Sequence, residues 1–128
     1  MLEKKILVVD DDETIRKTLS LILKRNYRVL LAKDAEEALR HFRNVKFDLL
    51  IADFRLPRLN GLEMIARFRE LGYHGEAVLI SAHPDLFTLE ELDRHAVRYF
   101  FVKPLDFKAL TRSVEYLLEA GDVTAKIL

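Results

Sequence analysis

Short apolar runs alternate along the chain with longer stretches in which hydrophobic residues recur every three or four positions. The runs are Ile6-Leu7-Val8-Val9, Val29-Leu30-Leu31-Ala32, Leu49-Leu50-Ile51-Ala52, Ala77-Val78-Leu79-Ile80 and Tyr99-Phe100-Phe101-Val102. Consecutive apolar residues suit a strand buried on both faces, as in a parallel sheet covered by helices, whereas a sheet with one wet face alternates. Between the runs, Ile15, Leu19 and Ile22 mark one amphipathic helix, and Ala35, Ala38, Leu39 and Phe42 a second. A third starts near Asn60-Gly61 and runs through Met64, Ile65 and Phe68 to Leu71. The last carries Phe107, Leu110, Val114, Leu117 and Leu118, and Gly72 and Gly121 suit the two stops. The fourth, with Leu86, Phe87, Leu89 and Leu92 after Pro84, is expected to be short or mobile. Strict alternation predicts an α/β fold, a doubly wound (βα)5 parallel sheet with right-handed crossovers.

Such sheets bind ligands at the carboxyl ends of their strands. There the chain places Asp10-Asp11-Asp12 after the first run, Asp53 after the third, Ser81 after the fourth and Lys103-Pro104 after the fifth. One Asp would cap the following helix. Three acids beside Glu13 exceed that need. A carboxylate cluster of Asp10, Asp11 and Asp53 is repulsive alone and is relieved by a divalent cation. With oxygen ligands only, no Cys and no paired His, that cation is Mg²⁺; the acids protonating or pairing with Lys103 is the alternative. Lys103 could also be a plain surface lysine after an edge strand. A carboxylate nucleophile, a metal, a lysine and a small hydroxyl are what phosphoryl transfer needs. Asp53 is then the nucleophile, Asp10 and Asp11 the metal ligands, and Lys103 and Ser81 the groups that meet the phosphoryl oxygens.

Composition narrows the class without naming it. The chain has 128 residues, 50% hydrophobic and 33% charged, with a net charge of +0. That suits one domain with a self-sufficient core. Acids and bases are spread over both halves, so nothing marks a nucleic-acid binder. No apolar run approaches the ~18 residues of a membrane span. The N-terminus lacks a leader pattern, which points to the cytoplasm. The absence of Cys excludes disulfides and thiol chemistry, and His41, His74 and His95 lack zinc-ligand spacing. Arg58, Arg67 and Arg69 form a modest basic patch expected to be a solvated face.

Taken in order, Ile6 to Asp12, Asp48 to Pro57, Asn60-Gly61, Ser81-Ala82 and Val102-Lys103-Pro104 make the chain resemble the receiver domains of two-component response regulators, over about residues 4 to 120. The resemblance implies a flavodoxin-like sheet of order 2-1-3-4-5. It implies that Asp53 takes a phosphoryl group from a sensor histidine kinase or phosphotransfer protein. Mg²⁺ would be held by Asp11, Asp53 and the backbone carbonyl of Arg55, with Asp10 acting largely through water. Ser81 would be the switch hydroxyl, Lys103 the phosphoryl-pairing lysine and Phe100 the switch aromatic, and Lys103-Pro104 would be cis. The surface of the fourth helix, fifth strand and fifth helix would then change for a partner or a second copy. Residues 1–120 would form the receiver and 121–128 a tail or the start of a linker.

Departures matter. Phe100 stands where tyrosine is common, losing the phenolic hydrogen bond, and could be plain core. Asn60 replaces an Asp, and Ala96-Val97 replaces a frequent Gly-Ala, so the loop before the fifth strand is expected to differ. Arg55 and His83 occupy the positions, two after Asp53 and two after Ser81, that the resemblance implies flank the water's route to the phosphoryl group, and they are expected to slow self-dephosphorylation, or to be a solvated pair. An aspartyl-phosphate hydrolase would need a second acid where Arg55 stands. A phosphorylation-independent interaction module is the other alternative, though such modules usually lack part of the acid or lysine set. A flavin site fails because acids follow the first strand where a phosphate needs free N–H groups. The domain is therefore expected to catalyse only its own phosphorylation and dephosphorylation.

Overall fold

A computed structural model describes the backbone of residues 3–127 and the side chains of residues 3–119. Five parallel strands, β1 (Lys5–Val9), β2 (Arg28–Ala32), β3 (Leu49–Asp53), β4 (Glu76–Ser81) and β5 (Val97–Val102), form one sheet of order β2-β1-β3-β4-β5. Helices α1 (Glu13–Leu23), α2 (Ala35–Phe42), α3 (Gly61–Glu70), α4 (Leu89–Arg94) and α5 (Phe107–Ile127) connect and cover it. This is the expected α/β architecture and strand order.

The consecutive apolar residues divide by parity, because successive strand side chains point to opposite faces. Leu7, Val9, Leu50, Ala52 and Leu79 join α2, α3 and α4 residues such as Ala38, Met64, Phe68 and Leu92 in one core. Ile6, Val8, Leu49, Ile51, Val78 and Ile80 join α1 and α5 through Leu19, Leu23, Leu110 and Val114 in the other. The central strands β1, β3 and β4 are buried throughout apart from their first residues in β1 and β4. The edge strands β2 and β5 are half exposed, against the expectation for buried runs, because each has a neighbour on one side only.

Helix ends follow local chemistry. Asp12, Asp34 and Asn60 cap α1, α2 and α3 by accepting from the first-turn N–H groups, and Glu63 closes a capping box with Asn60. α3 ends at Gly72, whose φ of 98° only glycine adopts freely, with Gly72 N–H bonding Arg69 O and Tyr73 N–H bonding Phe68 O. The fourth helical region is short as expected: a 3₁₀ turn, Pro84–Leu86, followed by the six-residue α4. Gly121 does not stop the last helix, since α5 is assigned through Ile127.

Candidate functional site

Four strand ends meet at one edge of the sheet. Asp53 is the last residue of β3 and Asp10 the first after β1; both carboxylates are buried, Asp10 completely. One carboxylate oxygen each from Asp10, Asp11 and Asp53 lies within 4.8 Å of the others. Lys103 reaches in from the end of β5, its ammonium 3.2 Å from Asp10 Oδ2 and 3.4 Å from Asp53 Oδ2. Asp10 Oδ1 accepts from Asp12 N–H at 2.9 Å. Its Oδ2 has the ammonium beside it but no aligned hydrogen bond, a buried carboxylate oxygen left short of a partner. Asp11 is exposed at the mouth. The acids thus partly pair with Lys103, the alternative weighed above, and still present an all-oxygen set that fits a hard divalent ion.

The cluster is electrostatically strained. Burial, then the neighbouring Asp10 charge, pushes the Asp53 carboxyl up to about 6, with Lys103 opposing. Burial likewise raises Asp10, against the Asp12 N–H and Lys103. Burial pulls Lys103 down, but Asp10 and Asp53 outweigh it and the ammonium is held above its ordinary value.

Ser81, the buried last residue of β4, accepts at Oγ from His83 N–H at 2.9 Å, and its carbonyl accepts from Lys103 N–H at 2.9 Å. The peptide between Lys103 and Pro104 is cis. Arg55 and His83 are both exposed beside the site. Phe100 is 37% exposed, so it is not the plain core residue that its apolar run allowed. It packs edge-on against Phe87 at 5.6 Å, which tilts against Phe54 at 5.2 Å, so rings connect the residue after Asp53 to the β5 face. The sequence placed Phe87 in the stripe of the fourth helix and Phe54 within the Asp48–Pro57 motif, but an apolar residue outside a regular element carries no sign of which ring it meets.

Two further contacts shape the site. A Cβ on Gly61 would come within 2.3 Å of the Asp53 carbonyl oxygen, so the first turn of α3 closes on the Asp53 backbone only because residue 61 has no side chain. Of the basic patch, Arg67 is exposed as expected, and Arg58, at a φ of 68° and also exposed, pairs with Glu36 at 2.6 Å and Asp34 at 3.7 Å. Arg69, half-buried rather than solvated, donates to the carbonyls of His95, Tyr73, Gly75 and Ala96.

The family profile "Response regulator receiver domain" matches residues 6–115. The chain belongs to the response regulator receiver domain family. Among curated relatives, this receiver is 32% identical to the alkaline phosphatase synthesis transcriptional regulatory protein PhoP of Bacillus subtilis, over 97% of the receiver and 52% of that protein. It is 30% identical to the transcriptional regulatory protein GlrR of Escherichia coli, over 89% of the receiver and 26% of that protein. The receiver thus spans about half or less of the length of these relatives. A solved N-terminal domain from Wolinella succinogenes superposes with a TM-score of 0.85 at 31% identity, covering 94% of the receiver and 98% of that chain. The response regulator TrrA of Thermotoga maritima, solved in complex with Mg²⁺ and BeF, superposes with a TM-score of 0.78 at 31% identity, covering 89% and 98%. The receiver is accordingly a domain of two-component response regulators, the signalling class to which phosphorelays belong. Among its described residues, no helix is long and apolar enough to cross a membrane.

Proposed function

We propose that this receiver accepts a phosphoryl group on Asp53 from a sensor histidine kinase or phosphotransfer protein. The observation that carries the reading is the meeting of Asp53 with Asp10, Asp11 and Lys103 in one buried cluster. Asp11, Asp53 and the Arg55 carbonyl would hold Mg²⁺, with Asp10 acting through water. When bound, the ion neutralises the carboxylates and the charge of the transferring phosphoryl oxygens. An Asp53 oxygen attacks phosphorus; the new O–P bond forms as the donor's P–N bond breaks, and the imidazole nitrogen leaves with the electron pair and takes up a proton from solvent. Lys103, already an ammonium beside Asp53, turns to the incoming oxygens, and Ser81 Oγ, which accepts from His83 N–H, has its own proton free to donate to them.

The product carries roughly −1.5 to −2 charges on three strong acceptor oxygens where a single carboxylate charge stood, and it projects that charge beyond the strand ends. Movement of Ser81 and Lys103 toward it couples to Phe100 and shifts the population of the α4, β5 and α5 surface, where a partner or second copy reads it. Residues 1–120 act as the receiver and 121–128 as tail or linker, in the cytoplasm, with no direct nucleic-acid or membrane contact. The domain turns over no other substrate. Arg55 and His83 slow loss of the phosphoryl group.

Intact-protein mass after incubation with Mg²⁺ and a small acyl phosphate tests this. One phosphoryl group gained by the wild type, and none by Asp53→Asn or the chelated protein, is the expected result. No gain would favour the phosphorylation-independent module. In the same assay, Arg55→Ala with His83→Ala is expected to shorten the lifetime of the phosphorylated form; an unchanged lifetime would make them a solvated pair.

A further inference from the structure

The loop joining β1 to α1 depends on a residue outside the acid cluster. Asp10 N–H still extends the ladder to Ala32 O at 3.2 Å, but the Asp10 carbonyl lies past the end of β1. The hydrogen bond it receives among the described residues comes from Arg16 Nη1, half-buried on α1, at 2.7 Å. A buried carbonyl beyond the ladder needs such a partner. That bond does more than satisfy an acceptor. It fixes the plane of the peptide between Asp10 and Asp11, and hence the direction in which the Asp11 side chain leaves the backbone. Asp10 is held separately, by Asp12 N–H and Lys103, and Asp12 caps α1. Asp11 makes no side-chain hydrogen bond or ion pair among the described residues, so what aims it is its backbone, held after it by the Asp12 N–H bond to Asp10 and before it by the Arg16 bond to the Asp10 carbonyl.

We propose that Arg16 is a positioning residue for divalent-cation binding: by clamping the Asp10 carbonyl it aims Asp11 into the site shared with Asp10 and Asp53. The proposal rests on the Mg²⁺ reading above. Its sign separates it from a simple charge effect. A guanidinium near the site repels a cation, so deleting it would tighten binding if charge alone mattered. Mg²⁺ instead demands near-ideal ligand geometry, and partners that orient metal ligands are worth about 10–100-fold in affinity.

Calorimetric titration of MgCl₂ into the full chain decides between these, with wild type, Arg16→Met, Arg16→Lys, Arg16→Gln and Asp53→Asn compared and urea midpoints recorded in parallel. Arg16→Met is expected to weaken Mg²⁺ binding about tenfold. Arg16→Lys is expected to recover part of that loss, since an ammonium still donates. If Arg16→Met does not fold, Arg16→Gln serves in its place, with weaker binding than wild type supporting the proposal and tighter binding overturning it. Binding by Arg16→Met as tight as wild type overturns the role of Arg16 and leaves the proposed function standing. No Mg²⁺ binding by the wild type overturns both.

Discussion

Ala96 ends α4 in the left-handed region, at a φ of 55°, with its N–H bonded to Asp93 O. Gly72 does the same work at the end of α3 without a Cβ to strain. An L-residue in that conformation is disfavoured by about 1–2 kcal/mol, and the greater freedom of unfolded glycine offsets part of that. Ala96→Gly is therefore expected to stabilise the domain by about 0.5–1 kcal/mol, read as a raised urea midpoint with an unchanged m-value. This position was visible in the chain, because Ala96-Val97 departs from the Gly-Ala that the family resemblance led one to expect. The acids, Ser81 and Lys103 were visible too, since each directly follows or ends an apolar run and the fold sends all run ends to one edge. Arg16 and Arg69 were not. A helical arginine has the same local pattern whether it ends in water or on a carbonyl, and Arg69 reaches His95 O and Ala96 O across more than two dozen residues of chain.

At the scale of elements, strand order followed from matching five motifs to a family, while strand existence followed from apolar runs alone. Edge exposure in β2 and β5 was not legible, because a run such as Leu30-Leu31 looks the same at the centre of a sheet and at its rim. What braces the β5 edge is Arg69, which ties the end of α3 to both the α3–β4 and α4–β5 loops and lies 5.1 Å over the Tyr73 ring. Arg69→Met is expected to cost about 2–3 kcal/mol through lost charge-assisted hydrogen bonds. Its signature in hydrogen exchange is faster exchange of the amides around residues 95–99, with the β1 and β3 amides changing only as much as global stability does.

For the whole molecule, the acid cluster is expected to make folding depend on pH and, on the proposed Mg²⁺ site, on metal. The Asp53 carboxyl is about 6 in the fold against an ordinary 3.8. The folded state therefore holds this proton more tightly than the unfolded chain does. Its stabilising contribution is complete below about pH 3.8 and lost as pH rises through about 6. Asp10, also raised, acts in the same direction. With metal chelated, this cluster is expected to lower the urea midpoint as pH rises across that window, and Asp53→Asn to flatten the slope. Excess Mg²⁺ is expected to raise the midpoint most at the neutral end, where the carboxylates are ionised and binding is linked to folding.

The sheet also acts as a partition. Leu50 and Ile51 are neighbours in the chain, yet one belongs to the core under α2, α3 and α4 and the other to the core under α1 and α5. A void opened at Leu50 faces the core that holds Met64 and Phe68, not the one across the strand. Substitutions at Leu50 and Ile51 are therefore expected to add with little coupling in a double-mutant cycle, while Leu50 and Met64, which belong to one core, are expected to compensate or compound each other.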